Sequence, residues 1–311
     1  MGVIELQELI ATLFSRKYAL LTRSGSFALI TAINASNAPK GSSVIMPASC
    51  CPIVLFAIQM AGYNVILADI SLSSLSMEVS DIEEVFDDTV SVIVAVHGYG
   101  HYCKIDEIVE FAKSNNVGLI EDACLAYGGS YQGKALGCFG DFSIVSFGYD
   151  KPIDNLYGGA ILMNKECDYN NAKVFLNDNS MAQFNDMEQL AKLKKRFSGF
   201  IEEIQIRKNN VAYLQENIRN PLFTKANYDD EVIYWRYPLL IKNRARFLAK
   251  SKEEGIVFTK HYKSLGELQT HGYYPNAAVV DEQIINLFVR PETPKKQLID
   301  MVMFINDYQD E

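Results

Sequence analysis

Apolar and polar positions follow two alternating rhythms through the first 165 residues. Ile4, Leu6, Leu9, Ile10 and Leu13 recur at helical spacing and predict an amphipathic helix over 4–15. The short apolar run 18–22 predicts a strand, and the almost wholly apolar stretch 27–33 predicts a buried helix. Apolar runs bounded by turn residues predict further strands at 43–47, 65–69, 91–97 and 117–122. Helical patterns fall between them at 53–60, 80–86 and 106–114. Two more apolar runs, 143–147 and 160–163, bracket a turn-rich stretch. Such strand–helix alternation predicts an α/β layer with a largely parallel sheet.

The pattern changes past Lys165. Residues 166–185 are polar, rich in Asn and Asp, and are assigned no element. Residues 186–218 predict one long helix with charges throughout, the composition of a solvated connector. A strand at 232–240 holding the only tryptophan (Trp235), a helix at 244–254 closed by Gly255, a strand at 285–289 and a helix at 295–308 follow. The division expected is a large domain at 1–185, a connecting helix at 186–220 and a small C-terminal α+β domain at 221–311.

Charge narrows the partners. Lys and Arg number 29 against 38 Asp and Glu, a net charge of −9, which leaves no basic surplus for a phosphate backbone and argues against nucleic acid. No run of about 18 uncharged apolar residues predicts a membrane span. Glu5 and Glu8 stand where a signal peptide would be basic, and Leu6 breaks the myristoylation pattern after Gly2. The six cysteines form no CxxC pair or zinc spacing, and His101, His261 and His271 add none. A cytoplasmic protein with reduced thiols and no metal is expected.

In such a sheet, ligands gather at the carboxyl ends of the parallel strands. The polar residues expected there are Ser49 and its neighbours, His97, Asp122 and Ser146. The Ser24-Gly25-Ser26 turn opens an apolar helix. It reads either as a plain serine N-cap or as an anion cradle, in which glycine admits close backbone approach and free first-turn N–H groups point outward. Lys151 lies between two buried strands, where burial disfavours an ammonium ion. It is read either as a surface loop lysine or as an amine for covalent chemistry with a carbonyl.

Several motifs stand in one register. Lys151 follows Ser146-Phe147 four residues past the Phe, and Gly158-Gly159 lie seven and eight residues past the lysine. Upstream are Glu121-Asp122-Ala123, the Gly137-x-x-Gly140-Asp141 turn, and Val96-His97-Gly98-Tyr99-Gly100. Together they resemble the DegT/DnrJ/EryC1/StrS family of pyridoxal-phosphate (PLP) sugar aminotransferases, over essentially the whole chain and most strongly over 24–164. The resemblance implies a fold type I PLP-dependent transferase: α/β, with a mostly parallel mixed sheet flanked by helices and a small C-terminal α+β domain.

It also implies roles. Lys151 would bond the cofactor and shuttle the proton, and Asp122 would pair with the pyridine nitrogen. Ser26 and the backbone around Gly25, with Ser146, would hold the phosphate, Phe27 and Leu125 would lie at the cofactor, and Cys51 would either pack over the ring or be a buried structural cysteine. Read from the residues, His97 either lines the substrate side or makes a structural hydrogen bond, Tyr149 either touches substrate or packs, Tyr157 is a substrate-side position, and Arg236 is a candidate partner for a donor carboxylate. A homodimer is implied, with Asn185 as the candidate to reach the neighbouring subunit's phosphate. The activity implied is transfer of an amino group from an amino acid, L-glutamate, to a nucleotide-linked keto-deoxysugar. The alternatives are a PLP- or pyridoxamine-dependent sugar dehydratase of the same family, whose members tend to carry histidine in place of the lysine, and a non-catalytic PLP-binding regulator. Three positions depart from the family pattern: Leu125 stands where Gln is frequent near the phenolic oxygen, Tyr157 where Glu is frequent, and Phe27 where a small residue is frequent.

Overall fold

The structure, a computed structural model, describes residues 2–227, 229–268 and 272–310. From the amino end come α1 (Val3–Leu13), β1 (Tyr18–Thr22), α2 (Gly25–Ala35), β2 (Ser43–Pro47), α3 (Pro52–Met60), β3 (Asn64–Ala68), α4 (Val79–Glu83), β4 (Val90–Val96), α5 (Ile105–Ser114) and β5 (Gly118–Asp122). A small hairpin of β6 (Ser130–Tyr131) and β7 (Lys134–Ala135) precedes β8 (Phe142–Ser146) and β9 (Gly159–Met163). Then follow α6 (Glu166–Asp178), the long α7 (Met187–Asn217), β10 (Thr224–Lys225), β11 (Tyr237–Leu240), α8 (Arg244–Glu253), α9 (Pro275–Gln283), β12 (Ile284–Leu287) and α10 (Lys295–Asp307).

The main sheet runs β1-β9-β8-β5-β4-β2-β3. The pairings among β8, β5, β4, β2 and β3 are parallel, and β9 lies antiparallel to both β8 and β1. Strands covered on both faces need apolar residues on both, and β2 and β8 are buried at every position. Alternate residues divide the core. Val44, Val94, Ile120, Ile144 and Ile161 face α2 through Ala28, Leu29, Ala32 and Ile33, while Ile45, Ile93 and Leu119 face α5 through Ile105 and Ile108. The second sheet, β10-β11-β12, is antiparallel and shares a separate core with α8 and α10.

Besides the short strands β6, β7 and β10, which the pattern does not predict, four elements differ from expectation. Helix α6 occupies the polar stretch past Lys165: Tyr169, Ala172, Phe175 and Leu176 pack into the core beside α2. Helix α7 is not solvated all round. Leu190, Leu193, Phe200, Ile204, Val211 and Leu214 form a buried stripe at helical spacing, the first four in one core with α1, the last two in the small-sheet core. Strand β11 starts at Tyr237 rather than 232, because Trp235 instead donates its amide to the Tyr99 carbonyl at 2.7 Å and Tyr234 adopts φ 45°. Helix α9 escaped the periodicity; Pro275 opens it, and only Ala277 and Val280 turn inward. No helix among the described residues is long and apolar enough to cross a membrane.

Candidate active site

The carboxyl ends of β2, β4, β5 and β8 open into one cavity of about 440 Å³, closed from the small-sheet side by Trp235, Arg236, His261 and Tyr262. Its position follows from topology, since β/α turns collect at that end of a parallel sheet.

Asp122, the last residue of β5, faces the cavity, its Oδ1 accepting the Cys124 amide at 2.9 Å. Its neighbour Glu121 points to the opposite face and is fully buried. Glu121 accepts the amides of Gly137 (2.6 Å), Phe139 (2.8 Å) and Gly140 (3.3 Å), the Ser143 hydroxyl (2.8 Å) and His97 Nε2 (3.0 Å), with Arg16 at 3.9 Å. The Gly137–Asp141 turn in the sequence register is thus a cradle for Glu121. Burial alone would raise the Glu121 pKa; the His97 hydrogen bond, the Arg16 charge and the Gly137 amide outweigh it and hold the carboxyl below its ordinary range. This carboxylate anchors β5, and through β5 it fixes Asp122.

His97 belongs to the same anchor: of its two readings the structural hydrogen bond holds, and the place on the substrate side does not. Val96, its predecessor, lines the cavity, so the His97 ring falls on the Glu121 face, fully buried, with Nδ1 accepting the Cys103 amide at 3.2 Å.

The N-cap reading of the Ser24-Gly25-Ser26 turn holds, and the turn also lines the cavity. Ser24 is the N-cap of α2, accepting the Phe27 amide at 3.3 Å, and this leaves Gly25 and Ser26 on the cavity. A Cβ on Gly25 would stand 2.7 Å from the Ser146 Cβ, and one on Gly159 would stand 2.6 Å from the Gly25 nitrogen. Close approach of the α2 start to the ends of β8 and β9 therefore excludes side chains at both glycines. Phe27, expected at the cofactor, packs against the core instead and does not line the cavity.

The β8–β9 connection presents Lys151, half-buried, to this cavity. Tyr127, fully buried, donates its hydroxyl to the Ser146 carbonyl at 2.9 Å and accepts the Ile153 amide at 2.7 Å. Phe147 donates its amide to the Gly158 carbonyl at 2.9 Å, closing the base of the loop. Tyr149 stands at the cavity rim, 71% exposed. Tyr157 turns away from the cavity, its ring edge-on to Phe184 and its hydroxyl 3.4 Å from Asn185 Oδ1, so neither Tyr157 nor Asn185 lines the cavity. Arg236 lines it, but its guanidinium is bonded to Asp150 within the chain, so the expected contact with a donor carboxylate has a competitor in place.

Cys51 and Leu125 line the cavity as expected, joined by Cys50 and Cys124. Burial first, then the nearby Asp122 carboxylate, pushes the Cys124 thiol well up, and burial does the same at Cys50, so both are neutral apolar walls at neutral pH. Sequence reasoning missed Tyr262 and His261, which close the site from a distant segment and carry no local motif; Asp150 was visible beside Lys151 without a partner to explain it. Among the described residues no cluster of three or more His, Cys, Asp or Glu side chains could hold a metal ion, and His271 lies outside them.

The profile of the DegT/DnrJ/EryC1/StrS aminotransferase family matches residues 2–305. The chain belongs to this family. A GDP-perosamine synthase from Escherichia coli O157:H7 is 36% identical over 159 residues, 51% of this chain and 44% of its own length. A dTDP-3-amino-3,6-dideoxy-alpha-D-galactopyranose transaminase from Aneurinibacillus thermoaerophilus is 26% identical over 312 residues, 94% of this chain and 86% of that one. A GDP-4-keto-6-deoxy-D-mannose 3-dehydratase from Escherichia coli O55:H7 is 29% identical over 162 residues, 50% of this chain and 42% of its own. The match to the first and third of these thus spans less than half of the relative. A crystal structure of a DegT DnrJ EryC1 StrS aminotransferase from Brucella abortus superposes with a TM-score of 0.88 at 19% identity, covering 97% of this chain and 89% of that one. The fold is that of fold type I PLP enzymes. Pyridoxal phosphate is the cofactor of the DegT/DnrJ/EryC1/StrS family. The residues present fit it: glycine where a Cβ would fill the cradle, hydroxyls at Ser26 and Ser146, a carboxylate at Asp122 and an amine at Lys151 around one cavity.

Proposed function

We propose that the chain is a pyridoxal-phosphate-dependent aminotransferase that moves an amino group from L-glutamate to a nucleotide-linked keto-deoxysugar, for surface polysaccharide or glycosylated metabolites. The observation carrying this reading is the placement of Lys151 and Asp122 on one cavity whose third wall is the start of α2. The sugar class rests on relatives named for nucleotide-sugar products, one of them matched over 94% of this chain.

Each residue has a task on this reading. Ser26, Ser146 and the first-turn amides of α2 hold the phosphate, where the helix start favours an anion. Asp122 holds a proton at the pyridine nitrogen. When bound, the cofactor supplies a carbonyl that takes up the amino group and a ring that withdraws electrons from the carbon losing its proton. Lys151 Nζ takes that proton from the donor carbon and returns it on the other side of the transfer. Trp235, Tyr262 and Cys51 exclude water, and Leu125 offers the ring an apolar contact without a hydrogen bond.

The working unit on this reading is a homodimer, with 1–185 as the cofactor-binding domain, 186–220 as the connecting helix and 221–311 as the small domain. Ile53, Phe56 and Met60 lie on one face of α3 beginning at the cavity rim, 47%, 44% and 73% exposed, an apolar face suited to a second copy. Phe56→Glu is expected to give a monomer by light scattering.

A second reading, sugar 3-dehydration, is favoured by the dehydratase match over half the chain. Lys151 weighs against it, because the dehydratases of the family tend to carry histidine there. Incubation of the purified chain with glutamate, pyridoxal phosphate and nucleotide-linked keto sugars separates the readings. A product that gains an amino group supports transamination, and loss of a hydroxyl without gain of nitrogen supports the dehydratase. Cofactor binding with no 2-oxoglutarate formed leaves the regulator.

A further inference from the structure

Asp150, the residue before Lys151, is held from two segments of the second, smaller sheet's surroundings and from within its own loop. Its carboxylate is paired with Arg236 through Nε at 3.1 Å and also through Nη2, and with Arg290 Nη1 at 3.2 Å. Its carbonyl accepts the indole N–H of Trp235, and its amide donates to Asp154 at 2.9 Å. Its backbone stands at φ 57°, a region that a non-glycine residue keeps only where its surroundings hold it.

Arg236 is itself immobilised. It donates Nη1 to the Thr259 hydroxyl, lies 3.2 Å from His261 Nδ1, and stacks over Trp235 and Phe288 at 4.4 and 4.8 Å. A guanidinium fixed on every side cannot follow a moving carboxylate, so the segments carrying Arg236, Thr259, His261 and Arg290 dictate where Asp150 stands. Buried ion pairs contribute little to stability compared with apolar packing of the same volume, because desolvation offsets the attraction. What such a cluster does supply is a single geometry. Asp150 and Lys151 are adjacent in the chain, and that geometry reaches Lys151 directly.

We propose that Asp150 is a positioning residue: clamped between Arg236 and Arg290, it ties the place of Lys151 in the cavity to the small domain. The inference rests on the reading of Lys151 as the amine that bonds the cofactor. It extends that reading by making the approach of the amine depend on contacts from the far end of the chain.

The test uses the full chain as wild type, Asp150→Asn, Arg236→Gln and the double variant. On mixing with pyridoxal phosphate, the visible band of the lysine-bound cofactor should appear about ten- to a hundredfold more slowly in each single variant, the loss expected of a displaced reacting group. The double variant should be no slower than the slower single, because both remove the same clamp. In the cofactor-free protein, emission from Trp235, the only tryptophan, should shift in Asp150→Asn and stay unchanged in Lys151→Ala. Wild-type band kinetics in both single variants, multiplied effects in the double, or unshifted emission in Asp150→Asn would overturn the proposal. Should the buried variants not fold, Arg290→Gln, whose side chain is 35% exposed, replaces them with the same expected slowing, and wild-type kinetics there overturn the clamp. If Lys151→Ala forms the same band as wild type, the reading of Lys151 fails instead, and the Trp235 emission, which needs no cofactor, still judges the clamp.

Discussion

The Tyr127 hydroxyl accepts the amide of Ile153 at 2.7 Å, and by donating to the Ser146 carbonyl at 2.9 Å it binds both limbs of the loop that carries Lys151. Tyr127→Phe would leave a buried N–H and a buried C=O without this partner. The expected cost is about 2 kcal/mol, the usual order for stranded buried groups, read as a lower urea midpoint with an unchanged slope. Turnover should fall as well, because the loop is released at its base while the cavity walls stay in place.

Gly25→Ala would place a methyl group 2.7 Å from the Ser146 Cβ, where the α2 start and the end of β8 approach most closely. Overpacking of this kind costs about 1–3 kcal/mol. Because the crowded point is the proposed phosphate cradle, the loss should emerge as roughly ten- to a hundredfold weaker cofactor binding in a pyridoxal phosphate titration. A Gly25→Ala protein that binds the cofactor normally would place the phosphate elsewhere.

Glu121 makes stability depend on acid pH. Its pKa is lowered below the ordinary 4.5 in the folded chain, so its contribution is present above about pH 4.5 and is lost as pH falls through the lowered value. Glu121→Gln turns an amide toward donors that a carboxylate satisfies, and should be destabilised at pH 7. Denaturation curves from pH 7 to pH 2 should show the gap between variant and wild type narrowing below pH 4.5. A constant gap across that range would deny Glu121 its anchoring charge.

Much of this was legible in the residues themselves. The β/α alternation located every strand of the main sheet within a few residues, because strands covered on both faces must be apolar throughout. Lys151, Asp122, Ser26 and Ser146 fell on one cavity because their motifs sit at strand and helix ends, where chain position determines spatial position. What stayed hidden depends on which face a residue takes or on distant partners. Asp122 ends β5 and pairs with Val96 at the end of β4; His97 comes one residue later, and that offset puts its ring behind the sheet. Helix α6 hid its few core-facing residues in an Asn- and Asp-rich composition. Trp235 and Arg236 read as strand, and their pairing with Asp150 across 86 or fewer positions of sequence has no local sign.

The central claim is that Lys151 is the amine to which the cofactor bonds. The most direct measurement is the absorbance spectrum of the purified chain with pyridoxal phosphate, before and after borohydride, with the modified residue located by mass spectrometry. The account predicts a visible band that borohydride abolishes, the cofactor's mass fixed on Lys151, and neither in Lys151→Ala. A wild-type band surviving in Lys151→Ala, or the label on another lysine, would contradict it.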